Sequence, residues 1–385
     1  MLARLDGAPL REARAERVRD WLERALTLVA ARADDDAFLD SLGSPLSRPV
    51  LRDAIATTLA ARHELSAALD ALPPCAPRGN AALVLAANVE TAVVRPLVWG
   101  LLTRNAMAVR PSTRRAGLAA AVVDALHETD PELGRAVALV EGASDAVVPA
   151  LDAWCDVLHV HGGDETVRAL TARCRSPVIG HGHGLGLAVL PRGALTRAGD
   201  ADACFRALAL DVARYDQRGC LSPQLVLVEP DERWPASEVA AALHTALSVL
   251  GETFPLGALD EEERLAGRRW RDVALALGFP ILRGSGHAIT VEEGVLRSGP
   301  GARNVAVHML RAADLDGVLA SMGAHLKCIG TPDAAVSDLV RRAARLATSA
   351  HVVPLGRMQT PSLLAPADGL PPWHGYVRSD TDDGG

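Results

Sequence analysis

Between Ala82 and Arg173 the chain alternates short apolar runs with helical stretches, and this rhythm limits its possible folds more than any other feature. Runs at 82–86, 106–109, 136–140 and 157–160 read as strands. Helices are predicted over about 90–103, 114–127, 147–154 and 164–173. Strands so uniformly apolar are buried on both faces, and a helix between consecutive strands turns them into a parallel sheet covered on both sides. The class is therefore α/β, with a dinucleotide-type domain in outline. Ligands of such sheets collect at the carboxyl ends of the strands. The loops that matter then begin at Ala87-Asn88, at Arg110, at Glu141-Gly142 and at His161.

The flanking regions extend this plan. Residues 11–72 carry apolar positions at helical spacing with two breaks, which predicts two or three helices in an N-terminal layer. A glycine- and histidine-rich stretch at 180–184 reads as a hinge. A second α/β unit follows, with helices near 201–213, 235–250 and 260–277, a strand at 225–229, and shorter strands near Ile281, Ala288, Val305 and Leu326. The expected divisions are 1–192 for the helices and dinucleotide-binding domain, 193–355 for a cysteine-bearing domain and 356–385 for a tail. The last residues of that tail are expected to be mobile.

Composition excludes several classes. The chain has 385 residues, 49% of them hydrophobic, enough for two separate cores. Forty basic and forty-seven acidic residues are spread without long runs, so no nucleic-acid partner and no anionic membrane surface is expected. The six cysteines lack Cys-x-x-Cys spacing and read as reduced thiols of a cytoplasmic protein. Charges at Arg4, Asp6, Arg11 and Glu12 break up any signal peptide, and no later run is long enough for a membrane span.

Cys220 lies in a turn after Gly219, framed by Asp216, Gln217, Arg218 and Ser222. Most free cysteines are small buried hydrophobes. The polar frame argues here for a nucleophile. Asn88, ending the first strand, is either a helix N-cap or an amide that stabilises a developing oxyanion. Arg110, Ser112, Arg114 and Arg115 open the next helix in a cationic cluster suited to a nucleotide phosphate. Gly162 and Gly163 allow a nucleotide to come close, while Asp164 and Glu165 satisfy the helix that follows. His159, His161, His181 and His183 invite a zinc reading, but no carboxylate or thiolate accompanies them at metal spacing, and no metal is expected. His181 or His183 is better used as an acid.

The runs at 216–224, 180–183 and 354–359 resemble the bacterial acyl-CoA reductase family that includes the luciferase-linked fatty acid reductase subunit, within the aldehyde dehydrogenase superfamily. The likeness extends from about Ala81 to the end of the chain. It implies an aldehyde-dehydrogenase-like fold, a Rossmann-type cofactor domain plus a second α/β catalytic domain, and a homo-oligomer. It turns Asn88 from cap to oxyanion donor and aligns Asn105 with a conserved-motif Gly-Asn step and Arg110, Pro111 and Ser112 with a Lys-Pro-Ser. Thr113 stands where NAD-preferring members carry a ribose-binding glutamate, which with Arg114 implies NADPH. Gly180 to His183 replace a Glu-Leu-Gly-Gly whose glutamate activates water. The resemblance thus implies NADPH-dependent reduction of an acyl-CoA or acyl-carrier-protein thioester to an aldehyde through S-acyl-Cys220. An aldehyde-oxidising dehydrogenase and a non-catalytic acyl-carrying subunit stay open as alternatives, and the acyl chain is not legible.

Overall fold

The computed structural model describes residues 2–112, 114–294, 296–332, 341, 345 and 350–378. Among them the strands form two sheets, one in each of two compact units. The first unit comprises residues 1–44, 54–183 and 362–385, and the second 45–53 and 184–361. No helix among the described residues is long and apolar enough to cross a membrane.

The first unit holds the strands β1 (Asn80–Val84), β2 (Ala106–Arg110), β3 (Val137–Leu139), β4 (Val157–His161) and β5 (Val178–His181). They are parallel in the order β3-β2-β1-β4-β5. Chain progress therefore runs outward from β1 to β3, then reverses to β4, and the reversal opens a crevice beyond the carboxyl ends of β1 and β4. Ala82, Ala108, Leu158 and Val160 pack with Val148 and Leu151 of the helix Ser144–Trp154 on one face. The N-terminal helix Ala15–Ala30 buries Val18, Trp21, Leu22, Ala25, Leu26 and Val29, an i, i+3, i+4 stripe. It is fastened to the helix Gly117–Thr129 region by the Trp21 indole N–H, which donates to the Leu126 carbonyl at 2.8 Å.

Several sequence expectations shift here. The first strand ends at Val84, so Asn88 sits in the loop beyond it. The helix expected from Arg114 starts at Gly117, so the arginine cluster precedes it. His181 ends a strand, because β5 pairs with β4 through the glycine-rich stretch. Thr113 and the expected mobile residues from 380 onward lie outside the described residues. As far as Arg378 the tail is packed: Pro77 and Val377 form a β-bridge, and Tyr376 is buried.

In the second unit the order is β12-β11-β6-β7-β10-β9-β8, with β6 (Leu185–Leu190), β7 (Pro223–Val228), β8 (Ile281–Arg283), β9 (Ala288–Glu292), β10 (Asn304–Met309), β11 (Leu326–Thr331) and β12 (His351–Pro354). All neighbours are parallel except β8 and β9. The helices Ala201–Ala213 and Ala236–Thr253 cover one face with Leu208, Val212, Val239 and Leu243. Trp270, Leu315 and Leu319 cover the other. The β6 register slips against both neighbours, between Leu326 and Cys328 on β11 and between Pro223 and Leu225 on β7. Lys327 and Gln224 are thus extra residues in two bulges on either side of one strand.

Asn105 is fully buried at the start of β2. Its side chain accepts from the Gly79 N–H and donates to the Tyr376 carbonyl, both at 2.9 Å. Arg104 before it adopts φ 68°, the left-handed conformation glycine favours. Asn105→Ala strands a buried carbonyl and an N–H, so urea denaturation is expected to show a loss of about 2 kcal/mol.

Candidate functional site

Cys220 is exposed at the turn between the helix Ala201–Ala213 and β7. The chain reaches it through Tyr215, Asp216 and Gln217, at φ 54°, 50° and 63°. Three successive left-handed residues without glycine cost roughly 1–2 kcal/mol each, so the surroundings must hold them. Asp216, with no exposed surface, does so. Its Oδ1 accepts from Arg303 Nε at 3.0 Å and Nη2 at 2.6 Å, and its Oδ2 from the Gly257 N–H at 3.0 Å and Arg218 Nη1 at 3.2 Å. Arg218 also donates to Glu263 at 2.6 Å. Gln217 completes the brace by donating to the Pro223 carbonyl at 2.7 Å.

A second set of contacts supports the loop from below. Asp211 accepts the backbone N–H groups of Gly356 at 2.5 Å and Met358 at 3.0 Å. Burial pushes its carboxyl up to about 7, against the pull of those donors. Gln359, the last residue of the 354–359 run, donates to Ser222 Oγ. A methyl group added at Gly184 would lie 2.5 Å from Lys327 Cγ and 2.9 Å from Cys220 Cβ. The glycine is therefore what lets the starts of β6, β7 and β11 meet at the cysteine.

The remaining expected site residues belong to the first unit, at the carboxyl edge of its sheet. Asn88 is exposed, and its carbonyl accepts from Arg115 Nη1 at 2.9 Å. Arg115 also lies 3.5 Å from buried Glu90, so this arginine fixes the loop instead of awaiting a phosphate. Arg110 is nearly buried and donates to Ser144 Oγ at 2.7 Å, while its Nε has no hydrogen-bond partner among the described residues. Arg114 is exposed, with its backbone N–H on Ser112 Oγ at 3.3 Å. An added Cβ at Gly163 would meet open space, and one at Gly162 would touch the Thr166 side chain at 3.6 Å. Asn88, then Arg110 and Arg114, then Gly162 and Gly163 thus stand at or just beyond the carboxyl ends of β1, β2 and β4. Asp164 accepts from the His183 N–H at 2.8 Å.

His181 brings in a residue that sequence reasoning missed. Its Nδ1 stands 2.8 Å from Asp368 Oδ2. Asp368 and Gly369 have φ 54° and 79°, in a two-residue turn closed by paired hydrogen bonds between Ala367 and Leu370. An Asp-Gly step is the sequence signal of such a turn, although not of its partner. The His181 ring stacks on His161 at 4.3 Å, and His159 stacks on Tyr376 at 3.9 Å. Stacked rings aim their nitrogens along parallel planes, and no group of three metal-ligating side chains converges among the described residues. Burial drives His159 down to about 3 and His161 well below the usual range, with the His181 charge adding to both.

A model of the acyl-CoA reductase (LuxC) family matches residues 25–378. Long-chain acyl-protein thioester reductase 2 of Photobacterium leiognathi is 23% identical over 188 residues, 46% of this chain and 38% of that protein, so the match spans well under half of the relative. Among solved structures, the aldehyde dehydrogenase KauB from Pseudomonas aeruginosa superposes with a TM-score of 0.77 at 16% identity, over 98% of this chain and 86% of its own. Aldehyde dehydrogenase 21 from Physcomitrella patens, in complex with the product succinate, gives 0.76 at 16%, over 96% and 84%. An NADP-dependent glyceraldehyde-3-phosphate dehydrogenase from Bacillus halodurans, complexed with NADP, gives 0.65 at 16%, over 90% and 80%. At these identities the likeness is one of fold, and it matches the expected architecture.

Two outcomes follow from this geometry. Asp216→Ala leaves the buried Arg303 guanidinium without its carboxylate, and unfolding experiments should show a loss of about 3–5 kcal/mol. His159 is uncharged in the folded state, whereas the unfolded chain protonates below its ordinary value of 6.5. Its contribution to stability is therefore complete above pH 6.5 and falls as pH drops towards 3. Denaturation of His159→Phe between pH 7 and 4 should lose less stability than the parent chain, by up to about 1.4 kcal/mol per pH unit.

Proposed function

Because the chain belongs to the acyl-CoA reductase (LuxC) family, we propose that it reduces an acyl thioester, of CoA or of an acyl carrier protein, to the aldehyde with NADPH. The observation that carries this reading is an exposed cysteine at the tip of a loop whose backbone is strained and rigidly braced. The Cys220 thiolate attacks the thioester carbonyl, and the charge that develops on oxygen is assigned to the Asn88 amide and the Cys220 backbone N–H. The thiol of the donor leaves, and the acyl group stays on Cys220 as a thioester. NADPH, when bound, supplies the hydride that converts this thioester to an aldehyde. Ser112 and Arg114 would hold its anionic end, with Arg110 behind them and the Gly162 and Gly163 backbone against its other portion. Arg114 is the feature that favours NADPH over NADH. A proton for the departing thiol is assigned to His181, which Asp368 holds by Nδ1, or to His183.

One observation favours a second reading. A histidine oriented by a carboxylate is also the make-up of a base that activates water, and His181 with Asp368 would then discharge the acyl-enzyme as free acid in an aldehyde-oxidising reaction. The two are separated by product. Intact mass after adding an acyl-CoA is expected to rise by the acyl group in the parent chain and not in Cys220→Ala, and NADPH should remove the adduct with release of aldehyde. Free acid, formed from aldehyde with NADP⁺, would establish oxidation in its place. Asn88→Ala should slow acylation by about 10²–10³-fold, and a rate within twofold of the parent would remove it from the mechanism.

A further inference from the structure

The chain's 40 basic residues include a single lysine, Lys327. The other 39 are arginines. This one ammonium stands at the start of β11, on the one residue that the register slip with β6 leaves over. Bulges re-aim a side chain out of the regular alternation, and they gather beside functional sites. In the sheet order β11-β6-β7, the residue just before β6 is Gly184, and the turn just before β7 carries Cys220. A methyl group at Gly184 would press on Lys327 Cγ at 2.5 Å and on Cys220 Cβ at 2.9 Å, so the two side chains crowd the one position where this glycine lacks a Cβ. The remaining two methylenes give the ammonium the reach to stand at the thiol.

Resting on the acyl-transfer reading above, we propose that Lys327 is the positioning residue of the nucleophile: its ammonium, presented by the β11 bulge across Gly184, holds Cys220 as the thiolate. A positive charge within a few ångströms favours the ionised form of a thiol and makes it the better nucleophile at neutral pH. Lysine suits the place better than arginine, because a compact point charge on a flexible stem fits beside a glycine where a planar fork of five donors is crowded. Among the described residues, the other groups named here are neutral, anionic or bonded elsewhere. Cys328, next along β11, is fully buried, and burial pushes its thiol up, so it stays neutral. Asp211 lies close enough to act on Cys328, and its charge opposes thiolate formation. Ser222 and Gln359 are neutral and bonded to each other. Arg218 and Arg303 are committed to Asp216 and Arg218 also to Glu263. His183 precedes Gly184 in the chain, with its backbone N–H on Asp164.

The test is the pH dependence of Cys220 alkylation by iodoacetamide, read by peptide mapping, in the parent chain, K327M, K327Q and K327R, with near-UV circular dichroism and melting temperature as checks on folding. Replacing the ammonium by a neutral group is expected to move the half-maximal pH up by about 1 to 3 units, so that labelling near neutral pH slows tenfold or more. K327R should recover part of it. K327Q keeps a stem and a polar head, so the question stays answerable if K327M does not fold. An unchanged profile in either folded neutral variant overturns the proposal, as does an acyl group found by mass on Lys327 in place of Cys220. If the alkylation shift appears but no acyl-CoA modifies Cys220, the Lys327–Cys220 pairing stands and the acyl-transfer reading falls.

Discussion

The carboxylate of Asp216 is the fixed point of the second unit. Four donors from Arg303, Arg218 and Gly257 converge on its two oxygens, and none of that carboxylate is exposed. Without this charge in place, the left-handed backbone of Tyr215, Asp216 and Gln217 would relax towards ordinary conformations at a gain of about 1–2 kcal/mol per residue. The position of Cys220 four residues on follows from it. A buried ion pair of this kind adds little net stability compared with apolar packing. Its use is geometric, since the helix that ends at Ala213 and the strand that begins at Pro223 must be joined by one specific path.

The two sheets use opposite edges. In the first, the residues to which the proposal assigns the dinucleotide lie at the carboxyl ends of β1, β2 and β4, near the change in winding direction. In the second, Gly184, Cys220 and Lys327 sit at the amino ends of β6, β7 and β11. A short turn braced by side chains carries the chain from the helix Ala201–Ala213 into that edge at Cys220. The paired bulges around β6 belong to the same design, since they give two neighbouring strands a residue outside the normal alternation of faces.

The tail contributes to both units. Its 356–359 portion ties to Asp211 and Ser222 beneath the cysteine turn. Further on, Asp368 reaches His181, and Tyr376 covers His159. Polar groups buried in this way are satisfied by specific partners or kept uncharged, and the histidine stack shows both solutions: His181 has a carboxylate, while desolvation keeps His159 and His161 neutral.

The amino-acid sequence by itself determined the α/β class, most of the elements and the identity of the cysteine turn. The helices Asp164–Arg173 and Ala201–Ala213 were legible to the residue, because apolar periodicity and end signals are local properties of the chain. The family likeness was legible too, in a few short runs around Cys220. Only the tertiary structure decided which charges are spent and which are available. Arg110, Arg114 and Arg115 look alike as a cluster, yet Ser144 holds the first and Glu90 the third, so only Arg114 is exposed. Asp368 lies 187 residues from His181, and Arg303 lies 87 from Asp216. The solitary lysine was visible in the composition, but a register slip between strands is what brings it to the cysteine. Pairings at such separations depend on how sheets and loops close in space, and no local pattern encodes them.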